Sequence, residues 1–176
     1  MQLTETALTG VYVIEIIRHD DARGFFARTW DARITKEYGL CERFDYAAIS
    51  VNRVKHTLRG MHYQSDPHGE VKLVRCTRGA MFDVVIDLRP DSKTFKKWFG
   101  IELTADNYKA LYIPPGCAHG FLTLEAGTEV LYHIAGDFVL DASMGVRFSD
   151  PAIGIKWPAK PHVISEHDAA FPDFRG

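Results

Sequence analysis

Three cysteines, Cys41, Cys76 and Cys117, are all the chain has, scattered, odd in number and with no CxxC pair. This excludes a disulfide framework and the common zinc-ribbon spacings, and reads as reduced, partly buried thiols in a cytoplasmic protein. No apolar stretch approaches the roughly 18 residues of a membrane span, so none is expected. The opening MQLTETALTGVYVIEIIRHDD lacks the basic start, apolar run and small-residue cleavage site of a secretory signal. Positive charge is not in excess: 21 Lys and Arg face 23 Asp and Glu, a net charge of −2, so there is no overall footprint for nucleic acid. Local cationic clusters stay open, because net charge does not say where charges sit. Internal repeats and low-complexity segments are also missing, and helical periodicity is scarce.

What is present is strand signal. Short runs rich in Val, Ile, Phe and Tyr recur at 11–17, 44–51, 71–76, 80–88, 97–103, 110–114, 120–124 and 129–134, punctuated by Gly, Pro, Asp and Asn. Thr77-Arg78-Gly79 reads as a tight hairpin connection, with Gly79 free to take a positive φ. One early helix is expected over 30–40, closed by Gly39, and another after Ser165. The length of 176 residues fits one domain with a sizeable core. We divide it into an N-terminal strand and helix (1–45), a core (46–150) and a C-terminal segment (151–176). Many short strands with little helix predict an all-β sandwich or barrel, most economically a jelly roll around a central cavity.

The chemistry starts in LRGMHYQ, 58–64. In a regular strand His62 shares a face with Gly60 and Gln64, while Arg59, Met61 and Tyr63 point the other way. Lys72 shares a face with Val74 and Cys76, and comes near His62 if that face lines the same cavity. A neutral imidazole beside an ammonium suits carbanion chemistry: one takes the proton, the other stabilises the oxyanion. The plainer readings are a histidine hydrogen-bonded in a sandwich interior and a lysine reaching solvent. In YIPPGCAHGF, 112–121, a turn at Pro114-Pro115-Gly116 precedes His119, and PxGxxH is similar to the second cupin motif. The first cupin motif supplies two more histidines and a Glu to a metal; here the segment reads His62-Tyr63-Gln64, with His68 and Glu70 in a loop. Two good ligands fall short of a transition-metal site, so no metal is expected. Tyr132, mid-strand beside Val130 and Ile134, is a candidate proton donor, or a core tyrosine. Asp168 is a candidate to orient an imidazole, or an exposed carboxylate near a chain end.

DARGFF (21–26), LRGMHYQ, VKLVR (71–75), FDVVIDLR (82–89), YIPPGCAHGF, EVLYH (129–133), FSDPAIGIKWP (148–158) and ISEHD (164–168) occur in one order over nearly the whole chain. Together they resemble the dTDP-4-dehydrorhamnose 3,5-epimerases, cofactor-free cupin-fold enzymes of deoxysugar biosynthesis. The resemblance implies His62 as base, Asp168 as its support and Tyr132 as the opposing acid. It implies that Arg23, Arg59, Lys72 and His119 hold the diphosphate or the sugar carbonyl, and that Phe138 stacks on the base. Phe26 lies in the same DARGFF match and, with Arg28 just beyond it, is counted with the substrate-binding residues. It also implies a nucleoside-diphospho-4-keto sugar as substrate, inverted at C3 and C5, no cofactor, and a homodimer in which the segment carrying Arg23 reaches the neighbour's site. A strand such as 11–17 pairing with the partner is expected on edge-covering grounds. Departures cluster: Arg28 stands for a family Glu, Ala47 and Ile49 for QxN, Ser143 for Glu, and His167 for Lys. They leave a CDP- or GDP-linked sugar open beside the thymidine-linked one. Epimerisation at a single carbon, and a sugar-nucleotide-binding cupin without catalysis, are the other readings.

Overall fold

Short runs that alternate apolar and polar side chains form strands with one buried face, and such faces must be covered by a second layer. A computed structural model describes residues 1–175. Among these residues thirteen strands, numbered in chain order, and two short α-helices make up most of the regular structure. One antiparallel sheet runs β1 (Gln2–Glu5), β2 (Tyr12–Glu15), β10 (Ala110–Ile113), β7 (Val71–Arg78), β12 (Thr128–Ala135), β5 (Tyr46–Asn52). The facing sheet runs β13 (Ser143–Gly145), β6 (Leu58–Gln64), β11 (Cys117–Thr123), β8 (Ala80–Asp87), β9 (Trp98–Thr104). A separate ribbon pairs β3 (His19–Asp21) with β4 (Gly24–Phe26). The all-β, cupin-type sandwich expected from the sequence is the observed architecture.

Three apolar layers follow from this. Between the sheets lie Leu8, Val11, Val74, Cys76, Met81, Val85, Leu103, Leu111, Ile113, Phe121 and Val130. Outside the five-stranded sheet, Met61, Val84, Ile86 and Ala118 are covered by the C-terminal residues Val146, Ile153, Trp157 and Phe174. Outside the six-stranded sheet, Leu73, Ile14 and Tyr112 are covered by Trp30, Ile34 and Phe44. Ile34 belongs to helix α1 (Ala32–Glu37), whose cap Asp31 accepts from the Arg33 amide. Past its end Gly39 takes φ +66°, as a C-terminal glycine should.

Two expectations need correcting. Thr77-Arg78-Gly79 does not close a hairpin: β7 pairs with β10 and β12, whereas β8 pairs with β11 and β9. Gly79, at φ +75°, turns the chain from one sheet into the other, and an added Cβ would lie 2.8 Å from Thr128 Oγ1. Local sequence marks a turn but not which sheet the next strand joins. Likewise residues 11–17 do not offer an edge to a partner, because β2 lies between β1 and β10. The free edges of that sheet are β1 and β5.

Candidate active site

The pairing of β6 with β11 builds the site. His119 lies opposite His62 and Phe121 opposite Arg59, so three steps on β6 match two on β11. This is a bulge, one extra residue that reverses the alternation of faces. Residues directly opposite share a face, and Phe121 is in the layer between the sheets. Arg59 therefore joins His62 on the inner face, whereas regular alternation predicted the outer one. Two glycines make the bulge feasible: a Cβ on Gly60, at φ +126°, would fall 2.5 Å from Gly120 Cα, and one on Gly120 2.7 Å from the Arg59 carbonyl oxygen. Met61 and Tyr63 do pack outward, as expected.

The bulge presents the Gly60 amide to a side chain. Asp168 Oδ2 accepts it at 2.9 Å, while Asp168 Oδ1 lies 2.9 Å from His62 Nε2. A carboxylate only accepts, so Nε2 donates, and in the neutral imidazole Nδ1 keeps its lone pair. Asp168 comes from helix α2 (Glu166–Ala169), where its own amide donates to the Ser165 hydroxyl at 3.0 Å. Burial by itself would raise the Asp168 carboxyl; hydrogen bonds from His62 and the Gly60 amide more than offset that and hold it at about 2. His167 Nδ1 stands 3.5 Å from the same carboxylate.

Across the gap, Tyr132 on β12 is flanked by the buried Val130 and Ile134 of its own face. Its ring meets that of His119 edge-on, with centroids 6.0 Å apart, so the two sheets touch here. Burial pushes the phenol well above its ordinary value; the Asp83 carboxylate adds to this and the Arg59 guanidinium opposes it. The phenol therefore stays protonated and is a donor. His119 is buried, with Nε2 2.6 Å from Asp83 Oδ1. Lys72 is buried on the inner face and ion-paired to Glu70 at 2.8 Å. Arg59 Nε donates to Asn52 Oδ1 at 2.8 Å and lines an open cleft with Val51, Val54 and Val163.

The remaining expected residues lie elsewhere. Phe138, 61% exposed, is on the loop after β12. Gln64 pins that loop: its Oε1 accepts the Val139 amide and its Nε2 donates to the carbonyls of Asp137 and His68. The amide is thus fully engaged, Glu70 is held by Lys72, and among the described residues no group of three or more His, Cys, Asp or Glu is poised to hold a metal. Arg23 and Phe26 are on the exposed ribbon, Arg23 bound to its own Asp21. Arg28 is held by Asp31 at 2.9 Å. The ribbon packs through Phe25 on Tyr108, not on His62 or Tyr132, so within one chain these three do not join the site. Ala47 and Ile49 face outward opposite His133 and Leu131, and Ser143 lies opposite Gln64 on edge strand β13. Asp83 is the site residue the sequence reading passed over; a lone carboxylate within the apolar run AMFDVVI was the available signal.

An imidazole held by a buried carboxylate, a protonated phenol and the buried Lys72 ammonium within a cupin-type jelly roll fit an isomerase of the proton-transfer class. A sequence model of the dTDP-4-dehydrorhamnose 3,5-epimerases matches residues 5–176, and the chain belongs to that family. It is 36% identical over 177 residues to the dTDP-4-dehydrorhamnose 3,5-epimerase of Sinorhizobium fredii, spanning 98% of this chain and 89% of the relative. The crystal structure of the dTDP-4-dehydrorhamnose 3,5-epimerase from Elizabethkingia anophelis superposes with a TM-score of 0.94 at 34% identity, covering 99% of this chain and 96% of that one. The enzyme of the same name from Bacillus anthracis, crystallised with TDP and PPi bound, gives a TM-score of 0.94 at 35% identity, covering 98% and 99%. No helix among the described residues is long and apolar enough to cross a membrane.

Proposed function

We propose that the protein inverts C3 and C5 of a nucleoside-diphospho-4-keto-6-deoxyhexose, with dTDP-4-dehydro-6-deoxyglucose as the substrate to test first. The C4 ketone makes the neighbouring hydrogens acidic, so the substrate supplies its own electron sink and the chain needs no cofactor. His62 Nδ1 takes the hydrogen from one ring face as a proton, and the electron pair moves onto the C4 oxygen. Arg59 and Lys72 hold the resulting negative charge; preorganised donors of this kind commonly contribute several kcal/mol. Tyr132 returns a proton to the opposite face. Even with its raised pKa the phenol is a far stronger acid than the carbon it protonates. Solvent then resets both groups. The observation that supports this most is the Asp168 carboxylate shared between the His62 ring and the Gly60 amide. It fixes the tautomer in which Nδ1 is a base.

The working unit in this reading is a cytoplasmic homodimer. Phe26 is 71% exposed on the ribbon and Ile49 is 63% exposed on edge strand β5, and apolar surface of this kind on an unpaired edge calls for cover. Arg23 and Phe26 then complete the neighbour's site, and Phe138 stacks on the base. A second reading concerns the nucleotide. Arg28 is a cation engaged with Asp31 where the family has Glu, and Ala47 and Ile49 offer no side-chain donor or acceptor. A CDP- or GDP-linked sugar is therefore the alternative. Thermal shift with dTDP, CDP, GDP and UDP tests it: stabilisation by dTDP alone discards the alternative, and stabilisation by CDP or GDP alone discards the thymidine assignment.

A further inference from the structure

Asp83 is fully buried on β8, opposite Phe121, among Met81, Val85 and Leu103. One carboxylate oxygen meets His119 Nε2 at 2.6 Å; the other, Oδ2, is buried and has no hydrogen-bond partner among the described residues. Asp87, four residues on, shows what a structural carboxylate looks like in the same strand. It is equally buried but accepts from the Arg89 amide and guanidinium, from Ser92 at 2.5 Å and from Thr94 at 2.6 Å. A buried charge that is only half satisfied is unfavourable, and well-packed neutral side chains often replace such groups at no loss of stability. Stability alone does not account for a carboxylate at 83.

We propose that Asp83 is a positioning residue of the proton-transfer site: by accepting the Nε2 hydrogen it fixes the tautomer and ring plane of His119, leaving Nδ1 as the ring nitrogen available to the ligand. The inference rests on the epimerase reading above. It makes His62–Asp168 and His119–Asp83 two imidazole–carboxylate pairs facing each other across the β6–β11 register. The first moves the proton; the second presents an oriented ring to the sugar.

Asp83→Asn tests this, because an asparagine amide both accepts and donates and no longer dictates the tautomer. Three readouts are taken with the full-length protein. Nitrogen-15 NMR of the ligand-free protein should find His119 as a single Nε2–H tautomer in the wild type and as a mixture in Asp83→Asn. Turnover of dTDP-4-dehydro-6-deoxyglucose should fall on the order of 100-fold in kcat, the low end for a positioned acid–base group, with KM changed less than about 3-fold and the melting temperature nearly unchanged. In a His119→Ala background the substitution should cost nothing further, since Asp83 acts through that ring. Full kcat in Asp83→Asn, an equal loss in the His119→Ala background, or a kcat loss matched by loss of folded protein overturns the proposal. A wild type inert toward this substrate counts against the substrate assignment alone; the ring-nitrogen spectrum then decides the role of Asp83 by itself.

Discussion

At the scale of single residues, two buried aspartates separate fold from chemistry. Asp168 and Asp87 are both held at about 2 against an ordinary 3.8, each because hydrogen bonds outweigh the opposing effect of burial. A carboxyl lowered by folding stabilises the native state fully above about pH 4, and that contribution, about 2 kcal/mol for each group, is lost as pH falls towards 2. Asp168→Asn and Asp87→Asn should each flatten acid unfolding followed by circular dichroism between about pH 4 and 2. Only Asp168→Asn should also reduce epimerisation at pH 7. Tyr132→Phe should keep exchange of the substrate's ring hydrogens with solvent while inversion falls by about 10²–10⁴-fold, because His62 still removes the proton and nothing returns it from the far side. Product analysis beside deuterium counting separates the two effects. Motif order singled out His62, Asp168 and Tyr132 as candidates. Residue type and spacing could not say that Asp168 also takes the Gly60 amide, since that bond spans 108 positions and needs the bulge.

At the scale of elements, the β6–β11 bulge carries the site. Gly120→Ala would set a methyl 2.6 Å from Met61 Sδ and 2.7 Å from the Arg59 carbonyl oxygen. Overpacking of this kind typically costs about 1–3 kcal/mol. We expect a lower urea midpoint for Gly120→Ala and loss of activity beyond the unfolded fraction, because Arg59 is turned from the inner face. A variant with normal activity per folded molecule would show that Arg59 is not needed there. Strand positions were visible in the sequence, since alternation of apolar and polar residues is a local property. The bulge was not, because it depends on two glycines from strands 60 residues apart in number meeting face to face. The turn at Gly79 failed for the related reason that a positive φ fits both a hairpin and a change of sheet.

At the scale of the whole molecule, the dimer proposal makes the site a joint product of two chains. Arg23→Ala and His62→Ala chains, each impaired alone, should recover activity when mixed under exchange conditions. A mixed dimer holds one site with both an intact His62 and the partner subunit's Arg23, so random pairing restores about a quarter of the sites. Recovery of none would mean that each chain acts with its own ribbon or without it. This level was the least visible in the sequence. Nothing in DARGFF says which chain's site it serves, and in the structure its Arg23 is bound to the neighbouring Asp21.

The most direct test of the account follows hydrogen at carbon. Wild-type protein and His62→Ala are incubated with dTDP-4-dehydro-6-deoxyglucose in D₂O, and deuterium is located by mass and NMR. The account predicts one deuteron at C3 and one at C5 with the wild type, and background exchange with His62→Ala. Undiminished exchange in His62→Ala would contradict it.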